Sequence, residues 1–202
     1  KAPYNLKMEG MKGLFDGSKA LHYHVNDAKS TIAACQFAKE FGIDKIVVIG
    51  GREAYMITDF LKENDIPVVL TDIHSLPDRA HDHVVLPYKM PKMLKDAGVG
   101  FCITDNKGMT SRQRNLPFAA GTAAAHGLSQ EEAIKAITGD AADILGIGDR
   151  VGTLEKGKDA TLFVSTGDAL DMRTNNVEHA FIQGRAIQIN ARQQFLYKKY
   201  SD

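Results

Sequence analysis

The sequence predicts an α/β protein, in which four strand–helix units build a parallel sheet and a smaller antiparallel layer follows. Three observations predict it. From Lys19 to Asp105, apolar runs alternate with helical segments over short connections, as right-handed crossovers in a parallel sheet require. "KIVVIG" and "IPVVLT" are nearly continuous β-branched runs, the pattern of strands covered on both faces. After Ile147 the texture changes to period-two segments with glycine turns and no long helix before the tail. A chain of 202 residues has room for one large domain plus a small one. The division falls between residues 1–147 and 148–202.

Each element has its own signal. Leu6 to Phe15 reads as a short helix stopped at Gly17, and Lys19 to Val25 as a strand. Asn26 or Asp27 caps the helix "AKSTIAACQFAKEF", with Ile32, Cys35 or Gln36, and Phe37 at helical spacing, and Gly42 ends it. After "KIVVIG", "REAYMITDFLKEND" reads as a helix, "IPVVLTDI" as a strand and "HSLPDRAHDHVVLP" as a longer polar loop. "YKMPKMLKDAG" reads as a short helix with Pro91 in its first turn, and "VGFCITD" as the fourth strand. "LPFAAGTAAAHG" is a small-residue helix. Ser129 and Glu132 form a capping box for "QEEAIKAITGDAADILG". "DRVGTLEKGKDATLFV" and "VEHAFIQGRAIQI" supply the antiparallel strands. The tail "ARQQFLYKKYSD" reads as a final helix or a frayed end.

Composition bounds the function. Twenty-five basic residues balance 25 acidic ones, and they are scattered, so neither a nucleic-acid footprint nor a membrane partner is expected. No apolar run approaches the length of a membrane span. A soluble protein acting on a small molecule or a peptide-like substrate is the expectation. Cys35 and Cys102 lie inside elements without metal-ligand spacing and read as buried thiols. The chain starts at Lys1 without a signal-peptide pattern. A start without Met suggests processing or a piece of something longer, so the compartment cannot be read.

Candidate site residues come from strand ends and loops. In "ALHYHVND", His22 and His24 stand two apart on a strand and share a face. Two imidazoles so placed can hold a zinc-type ion; on spacing alone they read more simply as strand-end polar residues. His74 opens the loop after the third strand, where it faces a site or bonds nearby backbone. His81 and His83, around Asp82, read as a solvated loop. Arg112 and Arg114 can bind a carboxylate by bidentate contacts or simply be solvated. His126, before Gly127, serves a helix end electrostatically.

Several stretches taken together carry a resemblance. "GTAAAHGLSQEEAIKAITGDAADILGIGDRVGTLEKGKDATLFV" resembles the C-terminal signature of the amidohydrolase superfamily, nearest its imidazolonepropionase-like branch. "VEHAFIQGRAI" resembles the strand pair that closes that family's small β-sandwich. "VGFCITD" resembles its last barrel strand, whose final Asp is catalytic and metal-binding. The resemblance implies the second half of a (β/α)8 barrel in residues 1–147, followed in 148–202 by the end of a small β-sandwich. It also implies hydrolysis of a C–N bond in an amide, cyclic amide or dipeptide-like substrate by a metal-activated water.

Family members carry a His-x-His pair on the first strand, but only three strands follow "HYH" here. The four strands are therefore the fifth to eighth. His24 matches the fifth-strand ligand, with His22 as a supporting neighbour. Asp105 matches the eighth-strand ligand and proton carrier. His74 becomes a substrate contact. One or two divalent ions, of the zinc type, are implied for a whole protein, with the site incomplete in this chain alone. Exposed barrel edges imply self-association.

The family would usually place a His at the end of the sixth strand, where "VVIGGREAY" has Gly50 and Gly51. The pair reads as a tight turn, or as room for backbone to approach a ligand. The departure leaves an alternative to the hydrolase, a non-catalytic ligand-binding or assembly protein on the same fold.

Overall fold

A computed structural model of the chain describes residues 4–105, 110–189 and 191–201. The first sheet has four parallel strands in sequence order: β1 (Leu21–Val25), β2 (Ile46–Gly50), β3 (Val68–Leu70) and β4 (Phe101–Ile103). Between them run α2 (Ala28–Glu40), α3 (Thr58–Glu63) and α4 (Leu86–Ala97); α1 (Leu6–Met11) precedes β1. After β4 come α5 (Leu116–Ala125), α6 (Gln130–Ile137) and α7 (Gly139–Ile144). A second, antiparallel sheet holds β5 (Leu162–Ser165), β6 (Val177–Ile182) and β7 (Arg185–Ile187), and α8 (Arg192–Tyr200) closes the chain.

The parallel register divides the first sheet into two faces. Ile46 and Val48 of β2, Val68 and Leu70 of β3, and Phe101 and Ile103 of β4 join the main core, with Leu61 and Leu94 of the helices fully buried beside them. The opposite face carries one row across all four strands, His24, Ile49, Val69 and Cys102. Buried residues on both faces of β2 and β4 are why these runs carry no alternation. Burial pushes the Cys102 thiol up to about 11, with Asp140 adding to the shift, and burial raises Cys35 as well; both behave as small apolar residues.

Local signals explain the boundaries. Asp27 caps α2 by accepting from the Ser30 amide at 2.8 Å. Ser129 and Glu132 close the capping box of α6. Gln183 and Gly184, at φ 50° and 76°, make the two-residue turn between β6 and β7.

Four expectations are corrected. Phe37 is 63% exposed. The buried face of α2 is Thr31, Cys35 and Ala38, a narrow stripe of smaller residues, and Phe37 instead stacks on Phe41 at 4.8 Å. The helix expected from Arg52 shrinks to a 3-10 turn, Ala54–Met56, and the six residues of α3. Helix α4 starts at Leu86, so Pro87 holds the first turn and Pro91 lies inside. The cost at Pro91 is its missing N–H, which leaves the Pro87 carbonyl without its helical donor, and the contact of the ring with that carbonyl, offset by full burial. The single helix expected from Gln130 breaks at Thr138, whose φ, ψ of −129°, −86° are not helical.

Candidate active site

The C-terminal ends of the four strands gather His24, Gly50, Gly51, His74, Asp105 and Arg112, but not His22, which is the second residue of β1, nor His81, His83, Arg114 and His126. This is the end of a barrel sheet at which loops build sites. His22 and His24 are both exposed on β1. Leu21 donates its amide to Lys45 O at 2.8 Å, so by alternation Leu21, Tyr23 and Val25 bond β2 and the amides of His22 and His24 face outward. His24 lines a polar hollow with Asn26, Ile49, Gly50 and Thr71.

Asp105 lies two residues beyond β4. Its side chain is only 7% exposed and its Oδ1 stands 3.6 Å from Nε of Arg112. Its Oδ2 is buried without a hydrogen-bond partner among the described residues. A buried carboxylate oxygen in that state is costly and marks a place where a ligand would be welcome. The hollow around it is lined by Thr71, His74, Thr104 and Arg112. Thr71 lines this hollow and that of His24 alike. The two residues stand on the outer strands, three inter-strand spacings or roughly 14 Å of backbone apart. The sequence left Arg112 open between carboxylate binding and solvation; the structure sets it on Asp105. The sequence signal that could have found it is a guanidinium seven residues after the strand-end Asp.

His74 is exposed, with Nε2 2.7 Å from Thr122 Oγ1. The Thr122 hydroxyl donates to Phe118 O at 2.9 Å, so its oxygen accepts and His74 Nε2 carries the proton. His74 is thus anchored to α5 while lining the Asp105 hollow. His126 Nδ1 donates to Thr122 O at 2.8 Å, a helix-end contact. His81 is solvated, its side chain 78% exposed and 3.9 Å from Asp82. His83 accepts from the Val85 amide at 3.3 Å.

Gly50 and Gly51 make a turn that no side chain fits. Their φ values are 104° and 59°. A Cβ on Gly50 would meet Asn26 Oδ1 at 2.4 Å, and one on Gly51 would meet Val68 Cγ1 at 2.7 Å. Gly51 donates to Val25 O at 2.8 Å, and Glu53 to Asn26 O at 2.9 Å. Ion pairs extend the stitching: Glu53 holds the Ala28 amide and Arg79, and Arg52 holds Asp78 and, at 3.3 Å, Asp72. Three successive strand-end loops are tied together where the family has a ligand. Gly50→Ala is expected to cost about 1–3 kcal/mol through left-handed strain and the Asn26 clash, read as a lower denaturant midpoint at unchanged slope.

Among the described residues no three His, Cys, Asp or Glu side chains converge as a metal set. No described helix is long and apolar enough to cross a membrane.

A parallel sheet of four strand–helix units with a small antiparallel sheet appended is the architecture of part of a (β/α)-barrel protein. The sequence model of the amidohydrolase family matches residues 88–187. An amidohydrolase from Thermotoga maritima MSB8 is similar over 93% of this chain and 48% of its own, at TM-score 0.82 and 28% identity. An adenosine deaminase from Xanthomonas campestris, with bound zinc, is similar over 96% of this chain and 52% of its own, at TM-score 0.61 and 17% identity. A Xaa-Pro dipeptidase with methionine in its active site is similar over 90% and 47%, at TM-score 0.64 and 19% identity. No curated protein matches the sequence. The chain is similar to the amidohydrolase superfamily in sequence over residues 88–187 and in fold over most of its length, and it spans about half the length of these structures. None of the matches singles out the imidazolonepropionase-like branch.

Proposed function

We propose that residues 1–147 supply the second half of the catalytic barrel of a metal-dependent hydrolase, and residues 148–202 the end of its small β-sandwich. The reaction is cleavage of a C–N bond in an amide, cyclic amide or dipeptide-like substrate. The observation that carries this is the buried Oδ2 of Asp105 just beyond β4, which has no hydrogen-bond partner among the described residues. The donors fit a zinc-type ion in kind, an imidazole from His24 and a carboxylate from Asp105. They do not suffice in number, so the remaining ligands come from outside this chain. When bound, the ion supplies Lewis acidity and acidifies a water.

The chain's own residues do the rest. Asp105 Oδ2 accepts a proton from the attacking water and returns it to the leaving nitrogen. His74, held on α5 by Thr122, stands at the rim of the same hollow and contacts the substrate. His22 supports His24 from the neighbouring face position.

A second reading, a ligand-binding protein without chemistry, is favoured by the Gly50–Gly51 turn, which leaves no place for a sixth-strand His. Elemental analysis of the native polypeptide, purified without chelator, separates them. The hydrolase reading expects stoichiometric zinc or a similar ion, lost in His24→Ala and in Asp105→Ala. A metal-free protein that resists reconstitution overturns it and leaves the binding protein.

A further inference from the structure

We infer that Arg112 is the receptor for an anionic group of the ligand, and that the site takes amides carrying a carboxylate beside the C–N bond. This rests on the reading of the Asp105 hollow as the active site, and it names the substrate class.

The argument is one of charge. The hollow holds two carboxylates, Asp72 and Asp105, and among its described lining residues one fixed cation, Arg112. A substrate anion placed there without Arg112 would face the charge of Asp105, which no other cation of the described lining answers, in a confined space where repulsion is poorly screened. Asp72 already has Arg52 at 3.3 Å, so Arg112 is the guanidinium that remains for a ligand.

The geometry of the Arg112–Asp105 contact fits a guanidinium at rest. It runs through Nε alone at 3.6 Å, outside the short, forked arrangement of a strong Arg–carboxylate pair. Arg112 is 30% exposed while Asp105 is 7% exposed. The guanidinium therefore stands on the solvent side of the acid, where an entering ligand meets it first. A ligand carboxylate gripped by the fork of Arg112 is held at the mouth of the hollow that Asp105 lines, with its adjacent C–N bond within the same hollow. One contact then does two things: it fixes the substrate's orientation and it draws the guanidinium away from Oδ1, so that the charge of the Asp105 carboxylate is left to Oδ2, the oxygen that must move a proton. A neutral cyclic amide or nucleobase offers Arg112 acceptors but no charge, so the pairing is weaker.

The test is equilibrium binding to the native, full-length polypeptide by calorimetry, with glycyl-proline and its C-terminal amide as paired probes. The acid is expected to bind at least tenfold more tightly than the amide. Arg112→Met should erase the preference, and Arg112→Lys should keep part of it, because a point charge replaces a fork. Arg114→Met, a change of the same size and charge in the same segment, should leave the preference intact. Equal binding of acid and amide, a preference that survives Arg112→Met, or no binding of either probe overturns the assignment. Cleavage is scored separately. An acid preference lost in Arg112→Met without any hydrolysis keeps this assignment while the hydrolase reading fails; hydrolysis without an acid preference does the reverse.

Discussion

Asp105→Asn is expected to lower kcat of the proposed hydrolase by about 10²–10⁴-fold, the range set by loss of a positioned general acid–base group, without lowering the thermal midpoint of the metal-free polypeptide. Asparagine keeps the shape of the side chain and cannot carry the proton. The stability half follows from the surroundings. Oδ2 has no described hydrogen-bond partner to lose, and the contact with Arg112 is long and rests on a partly exposed guanidinium, the kind that contributes little. A buried, poorly satisfied carboxylate is itself a destabilising group. Removing its charge therefore holds or raises stability while chemistry is lost, which is how a site kept under strain for function behaves. The pair of measurements is a progress curve on the metal-loaded protein and a melting curve on the same protein stripped of metal. Retained activity would remove Asp105 from the chemistry. A large fall in midpoint would make it a structural acid.

Much of the fold was legible because local and tertiary signals agree. "KIVVIG" is a strand by propensity and is buried on both faces by topology, so nothing competes. The Ser129–Glu132 box is a local arrangement that needs no tertiary partner, and the structure contains it. Failures fall where tertiary packing chose among local options. In α2 two helical stripes are offset by one residue, and the sheet accepts the one with Thr31, Cys35 and Ala38 because their small side chains let the helix lie close. Thr138 breaks the long helix of the sequence so that α7 can turn against β4. At the candidate site, strand-end residues such as His24 and Asp105 could be picked out because a strand's end is local information. Their companion Arg112 comes from a loop, and a loop's return path onto a carboxylate is not written in its own sequence. The Gly50–Gly51 turn is intermediate: two glycines announce a turn, but only the positions of Asn26 and Val68 show that a side chain has no room there.

The chain of 202 residues, prepared on its own, is expected to self-associate. In the four-stranded sheet, β1 and β4 each pair with one described strand, and by alternation the amides of His22 and His24 face away from β2. An outer strand with outward donors is a template for another strand. Beside β1 the surface is apolar. Met11, Phe15, Tyr23, Phe37 and Phe41 are 48%, 57%, 40%, 63% and 59% exposed, and they line one groove between α1, β1 and α2. Scattered exposed apolar residues are ordinary, but a contiguous set next to an open edge marks a surface that is covered in the working state. In a closed barrel that cover is the neighbouring strand–helix unit. For this chain alone, a second copy offers the nearest equivalent, its β4 against the first copy's β1, repeated by two-fold symmetry. Light scattering on the isolated chain should give a dimer or larger species. His22→Pro removes one outward amide without touching the ladder to β2, and should shift the mass toward the monomer. A monodisperse monomer for the unaltered chain would mean that the edge of β1 and its aromatic flank are satisfied without a partner, and the groove would lose its reading as a covered surface.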